Sequence, residues 1–283
     1  MNYYFSIIIL MCSVVYGIEN YSQIRIDYPD DDIISTLQEI GVGVDHLYYV
    51  KYEILELAVS DSEIQKLEEF GIDFIITIED LTSYFQSRLT QPISRDFPDG
   101  SMGGYYNFDE VVDIIDEFHD NFPNIVGEKI SIGTTHEGRQ LWAFKVSDNP
   151  EVEEDEPEVL YTGLHHAREP MSMMNLIYYI MYLTENYGLD PQVDHIVNNR
   201  QLWFIPVVNP DGYVYNESIS PSGGGMHRKN RRSNGCSGYD VGIDLNRNYS
   251  YFWAFDDIGS EPYACGQTYR GTSPESELEI QSV

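Results

Sequence analysis

Val159-Leu-Tyr-Thr-Gly-Leu-His-His-Ala-Arg-Glu-Pro170 decides how the rest of the chain is read. Val159 to Leu164 has the short apolar character of a buried strand. A long apolar helix is expected over Met171–Tyr187. The polar residues between them therefore sit where a strand ends and a helix begins, the place at which α/β sheets present functional groups. His166 and Glu169 are three apart, so a tight turn can aim both at one point. Imidazole nitrogen and carboxylate oxygen are both zinc donors, but catalytic zinc needs a third protein ligand and an open position. A His-x-x-Glu pair alone is common by chance. His46, His119, His136, His195 and His227 have no evident ligand setting, and His165 precedes the turn, which suits packing or a supporting contact.

Outward from this stretch, Phe108–Phe122 carries Val111, Val112, Ile114, Ile115 and Phe118 at helical spacing. Strands are expected at Val126–Ile132, Leu141–Val146, Val159–Leu164 and Leu202–Val208. Strands alternating with helices predict an α/β fold for residues 105–283, with a mixed, largely parallel sheet flanked by helices.

Residues 18–89 read as a separate small α+β unit. Tyr21–Ile26 alternates like a strand, and Asp31–Ile40 carries Ile33, Ile34, Leu37 and Ile40 at helical spacing. Tyr48–Val59 alternates again, Ser60-Asp-Ser-Glu63 has the form of a capping box, and Phe74–Ile78 is a final short strand. That order leaves room for one more strand. Residues 90–104, with Pro92, Pro98 and Gly100-Ser-Met-Gly-Gly104, form a linker. Arg88 and Arg95 lie in or beside it and suit an activation cleavage; a plain interdomain linker is the alternative.

The first residues, MNYYFSIIILMCSVVYG, hold an apolar run too short to span a bilayer comfortably, ending at Val15-Tyr16-Gly17. Residues 1–17 are read as a signal peptide, although no Lys or Arg precedes the run; a first strand or a membrane anchor is the alternative. Export and no membrane span after signal removal follow. Cys12 would leave with the signal, so Cys236 and Cys265 remain as a pair expected to be bridged in an exported protein. The formal net charge of -31, from 47 acidic and 16 basic residues, repels phosphate backbones and excludes nucleic acid as the expected partner.

Two further clusters carry chemistry. Arg228-Lys-Asn-Arg-Arg232 is a basic island in an acidic chain; it reads as a solvated loop, as a nucleic-acid patch, or as a site for an anion such as a carboxylate. Asp244-Leu-Asn-Arg-Asn248 sets amide and guanidinium donors side by side.

In this order, Gly163-Leu-His-His-Ala-Arg-Glu169, Arg228-Lys-Asn-Arg231, Gly242-Ile-Asp-Leu-Asn-Arg-Asn248 and Tyr269-Arg-Gly-Thr-Ser-Pro274 followed by Ser276-Glu277 resemble the zinc metallocarboxypeptidases of the carboxypeptidase A/B/T type. Ile132-Gly-Thr-Thr-His-Glu-Gly-Arg-Gln140 and Asn209-Pro-Asp-Gly-Tyr213 also fit that family. The resemblance covers the chain from about Tyr105 onward, and residues 18–89 are similar to the inhibitory propeptide of these enzymes, with weaker motifs. It implies that His166 and Glu169 ligate Zn2+. Arg231 would stabilise the oxyanion, Asn246 and Arg247 would hold the free C-terminal carboxylate of a peptide or protein, and Arg168 would contact the next residues. It places Cys236 and Cys265 near positions that relatives bridge, and implies a secreted zymogen acting as a monomer. The third zinc ligand, the general-base Glu and a closing Tyr belong in relatives to sequence beyond Val283, so the chain as written is expected to be inactive. A non-catalytic peptide binder and a zinc deacylase are the alternative functions.

Overall fold

The computed structural model describes residues 20–44, 47–88, 99–257 and 259–283. The expected signal peptide, His46, Arg95 and most of the expected linker lie outside the described residues.

The N-terminal unit runs β1 (Tyr21–Asp27), α1 (Ile33–Glu39), β2 (Leu47–Val50), β3 (Ile54–Ser60), α2 (Asp61–Glu69), β4 (Ile75–Ile78) and α3 (Leu81–Arg88). Its strands pair antiparallel in the order β2-β3-β1-β4, a split β-α-β arrangement. Alternation on β1 and β3 buries Ile24, Ile26, Leu55, Leu57 and Val59 against Leu37 and Leu67 of the two helices. The capping box forms as expected: Glu63 N–H donates to Ser60 Oγ at 3.3 Å and Ser60 N–H to Glu63 Oε2 at 2.8 Å. The expected single strand over Tyr48–Val59 is instead a hairpin, and its second arm supplies the extra strand. Its turn, Lys51-Tyr52-Glu53, contains none of the residues that usually mark turns; Tyr52 takes the left-handed backbone region at φ 63°.

The second unit contains α4 (Phe108–Asn121), β5 (Ile130–Thr134), β6 (Gln140–Val146), β7 (Glu158–Thr162), α5 (Pro170–Asn186), α6 (Pro191–Val197), β8 (Gln201–Ile205), α7 (Pro210–Ile219) and α8 (Leu278–Ser282). Its sheet has the order β5-β6-β8-β7. The sheet is mixed, but the expectation that it is largely parallel is corrected: among the described strands only β7 and β8 pair parallel, while β5/β6 and β6/β8 are antiparallel. A short turn closed by Thr135 N–H to Arg139 O joins β5 to β6 and allows only a hairpin. The long α5–α6 crossover is what permits the parallel pair. Residues alternate across the sheet. Phe144, Val146, Leu202 and Phe204 pack against α4 and α5 through Val111, Ile115, Met173 and Ile177. Ala143 and Ile205 face Leu245 and Ile280 on the other side.

The units meet at a small apolar cluster of Tyr21 and Leu81 with Met226 and Tyr239. Gln86 Nε2 also donates to Ser220 Oγ at 2.7 Å and to Gly223 O at 3.1 Å.

Candidate metal centre

Beyond β7 the chain turns sharply into α5. Gly163 is required by close approach: a Cβ there would stand 2.8 Å from Pro206 O and 3.3 Å from Met173 Cα. Leu164 takes φ 53°, and its N–H donates to Ser172 Oγ at 2.9 Å, while that hydroxyl donates to Glu169 O at 2.9 Å. These bonds tie the turn to the first turn of α5, for which Glu169 is the N-cap residue and Pro170 the first helical residue.

His166 is buried with a carboxylate oxygen at each ring nitrogen. Nδ1 lies 2.9 Å from Glu169 Oε1, and Nε2 lies 3.1 Å from Asp244 Oδ1. A neutral imidazole has one N–H, so it can donate to only one of them. The other contact needs a proton or a metal cation between two acceptors. With Nε2–H donated to the buried Asp244, the Nδ1 lone pair faces Glu169, a carboxylate–histidine–metal arrangement. The donor set therefore fits zinc. Burial opposes a charge on His166, but the bonds to Asp244 and Glu169 outweigh it and raise its pKa.

Asp244 is the pivot. Arg228 donates to its Oδ2 from Nε at 3.0 Å and Nη2 at 2.8 Å, and Asn246 N–H donates to Oδ1 at 3.0 Å. Burial works to raise its pKa, but Arg228 and His166 hold it well below the usual carboxylate range. Residue spacing assigns no role to Asp244 or Arg228. The one available signal is an acidic residue placed between the basic island and the Asn-Arg pair.

Two of the remaining predicted residues follow Asp244 closely in the chain. Asn246 and Arg247 hang from it in a single 3-10 turn, Leu245–Arg247, with Arg247 donating from Nε to Gly259 O at 2.8 Å. Arg168 precedes Glu169, and its guanidinium carbon lies 5.6 Å from the centre of the Tyr21 ring. Arg231 lies 3.8 Å from the centre of the Tyr215 ring. Cys236 and Cys265 are joined in a disulfide with Cα atoms 5.6 Å apart. His165 Nε2 is 2.7 Å from Tyr249 Oη, and burial and His166 lower its pKa to about 4, in keeping with a supporting contact.

The basic island is not a solvated loop. Arg228, Lys229 and Asn230 are fully buried, and Lys229 Nζ donates to Asp240 O at 2.7 Å and Gly266 O at 2.8 Å. Burial lowers the Lys229 pKa to about 8. His136, with no evident ligand setting in the sequence, lies 3.2 Å from Glu277 and 3.9 Å from Glu279. Among the described residues the groups of three that could hold a metal are that one and Asp148 with Glu154 and Glu156. Neither contains His166 or Glu169.

A family model described as zinc carboxypeptidase, peptidase family M14, matches residues 111–283, and the chain belongs to that family. It is 41% identical over 160 residues to a zinc carboxypeptidase of Saccharothrix mutabilis subsp. capreolus, covering 56% of this chain and 35% of that protein. It is 30% identical over 275 residues to carboxypeptidase A4 of Mus musculus, covering 92% and 63%. The solved structure of carboxypeptidase A from Helicoverpa armigera shares the fold, with a TM-score of 0.72 at 22% identity over 93% of this chain and 65% of that one. The chain thus spans only part of the length of these relatives. Among the described residues no helix is long and apolar enough to cross a membrane.

Proposed function

We propose that the chain comprises the inhibitory propeptide and the first part of the catalytic domain of a secreted zinc metallocarboxypeptidase, which removes residues from the C-termini of peptides and proteins. The observation that carries this is the clamping of His166 between Glu169 and an Asp244 that is itself held by Arg228. His166 and Glu169 would hold the metal. Zinc, when bound, would supply Lewis acidity at the scissile carbonyl. Asp244 keeps the Nε2 proton of His166 and thereby leaves Nδ1 to the metal. Arg231 stabilises the oxyanion. Asn246 and Arg247 bind the terminal carboxylate, which restricts cleavage to chain ends, and Arg168 contacts residues further along the substrate.

Contacts of the N-terminal unit support its inhibitory role. The Tyr21 ring faces Arg168, Leu81 and Phe85 line a hollow shared with Glu169, and Ile34, Val42 and Tyr49 line another shared with Arg247. In the full-length protein, cleavage between Arg88 and Gly104 is expected to raise peptidase turnover; an unchanged rate would remove the inhibitory role.

With two ligands of three, the 283-residue chain alone is expected to bind zinc weakly and to lack turnover. Zinc titration of the chain and its Glu169→Gln variant tests the ligand pair. The variant should bind at least about tenfold more weakly, and equal affinity rejects Glu169 as a ligand. Robust carboxypeptidase turnover by the unextended chain would overturn the two-ligand reading.

A further inference from the structure

The arginines near the centre differ in how their N–H groups are used. Arg228 spends Nε and Nη2 on Asp244. Arg232 donates from Nη1 to Glu277 Oε1 at 2.6 Å and Ser276 O at 3.3 Å. Arg247 donates to Gly259 O and Asn246 O. Arg231 is different: its Nε and Nη1 are buried and have no hydrogen-bond partner among the described residues. Its nearest carboxylate oxygen, Glu137 Oε1, is 3.8 Å from Nε, too far for a hydrogen bond. What the guanidinium does touch is a ring face, with its carbon 3.8 Å from the centre of Tyr215.

We propose that Tyr215 is the positioning residue for Arg231, seating the guanidinium by its ring face so that the N–H groups stay available for an oxyanion. This rests on the oxyanion role proposed for Arg231. The physical reason is geometric. A guanidinium lying over an aromatic face uses its own flat face for the contact, while its N–H bonds point outward in the plane. A carboxylate partner would fix the side chain equally well but would occupy those N–H groups. Buried donors without partners are rare, so the two orphaned donors of Arg231, beside the bonded Arg228 and Arg232, mark a place for an anionic ligand.

The seat is itself braced. Tyr215 lies on α7 and meets the buried His227 ring edge-on, with centroids 5.0 Å apart. His227 Nε2 donates to Asn230 O at 3.1 Å, and its other face stacks on Tyr239 at 6.3 Å. Burial, with Arg231 adding repulsion, lowers the His227 pKa to about 3, so the brace stays neutral and adds no competing cation. Tyr239 in turn meets Tyr21 of the N-terminal unit at 5.4 Å. Arg168 also carries a buried Nη1 without a partner, but the ring it faces is Tyr21. The ring that faces Arg231 thus belongs to the second unit, and the ring that faces Arg168 to the N-terminal unit.

The test uses the activated full-length enzyme and its Tyr215→Phe, Tyr215→Leu, Tyr215→Met and Arg231→Ala variants. Tyr215→Phe retains the ring and should match the parent. Tyr215→Leu should lower kcat by roughly tenfold to a hundredfold with KM within about twofold, as expected for a displaced oxyanion donor. Tyr215→Met, also without a ring, replaces it if the leucine variant does not fold. A second readout needs no turnover. In spectra of protein labelled with 15N-arginine, the Arg231 Nε–H signal should be shifted upfield by the ring in the parent and in Tyr215→Phe, and should lose that shift in Tyr215→Leu or Tyr215→Met. An unmoved signal, or an unchanged kcat beside a reduced kcat in Arg231→Ala, overturns the ring seat and leaves the oxyanion role standing. An unchanged kcat in Arg231→Ala removes the oxyanion role, and the proposal falls with it.

Discussion

In the N-terminal unit the interior is Ile24, Ile26, Leu37, Leu55, Leu57, Val59 and Leu67, with Glu63 of the capping box as a buried carboxylate at its margin. Around the candidate centre of the second unit, Arg228, Lys229, Asp244, Glu277 and Glu279 are all fully exposed to protein and not to water. An apolar core gains from each buried methylene and tolerates change in proportion to volume. A buried ionic cluster gains little net energy, but removing one partner leaves an uncompensated charge. The contrast teaches that the second unit gives up economical packing to hold donor atoms in place. A centre that must orient His166 at both nitrogens cannot be built from hydrocarbon.

The contrast can be broken or sharpened by substitution on each side. Asp244→Ala should cost the most, roughly 3–5 kcal/mol in urea unfolding, because the buried Arg228 loses the carboxylate that accepts from its Nε and Nη2. It should also lower zinc affinity by about tenfold or more, since Nε2 of His166 loses its acceptor. Leu37→Ala, at a fully buried core position of the N-terminal unit, should cost about 3 kcal/mol, read as faster hydrogen exchange confined to that unit, with zinc binding unchanged. Equal or greater loss of zinc affinity there would show that the two interiors are not independent. Ser60→Ala removes one arm of the capping box and should cost about 1 kcal/mol.

A further effect concerns pH. Burial, with repulsion from Glu277 and Asp211, raises the Glu279 pKa from 4.5 to about 7. The folded chain then holds a proton that the unfolded chain releases, so this stabilisation is complete below pH 4.5 and is lost as pH rises through 7. Glu279→Gln should flatten the fall in Tm across that window, measured against the parent by thermal scans at constant ionic strength. An unaltered slope would mean that Glu279 titrates normally.

Much of the N-terminal unit was legible. Alternation marked β1, helical spacing marked α1, and Ser60 with Glu63 marked the start of α2. The hairpin at Lys51-Tyr52-Glu53 was not, because apolar alternation continues through both arms and no usual turn residue interrupts it. At the centre, the strand-to-helix turn with His166 and Glu169 was legible from its flanks. The basic island misled in its bland reading, because charge in a sequence does not reveal that Arg228 and Lys229 find buried acceptors.

By itself the sequence determined the features that depend on neighbours along the chain: the periodicity of strands and helices, the caps, and the turn that brings His166 and Glu169 together. Tertiary structure decided the rest. It chose the sense of each strand pair and placed Asp244 against His166 across a separation of 78 residues. It also left Arg231 facing a ring while satisfying the arginines beside it. The reason is that spacing encodes local backbone geometry, whereas the partner of a buried polar atom is set by which distant segments the fold brings into contact.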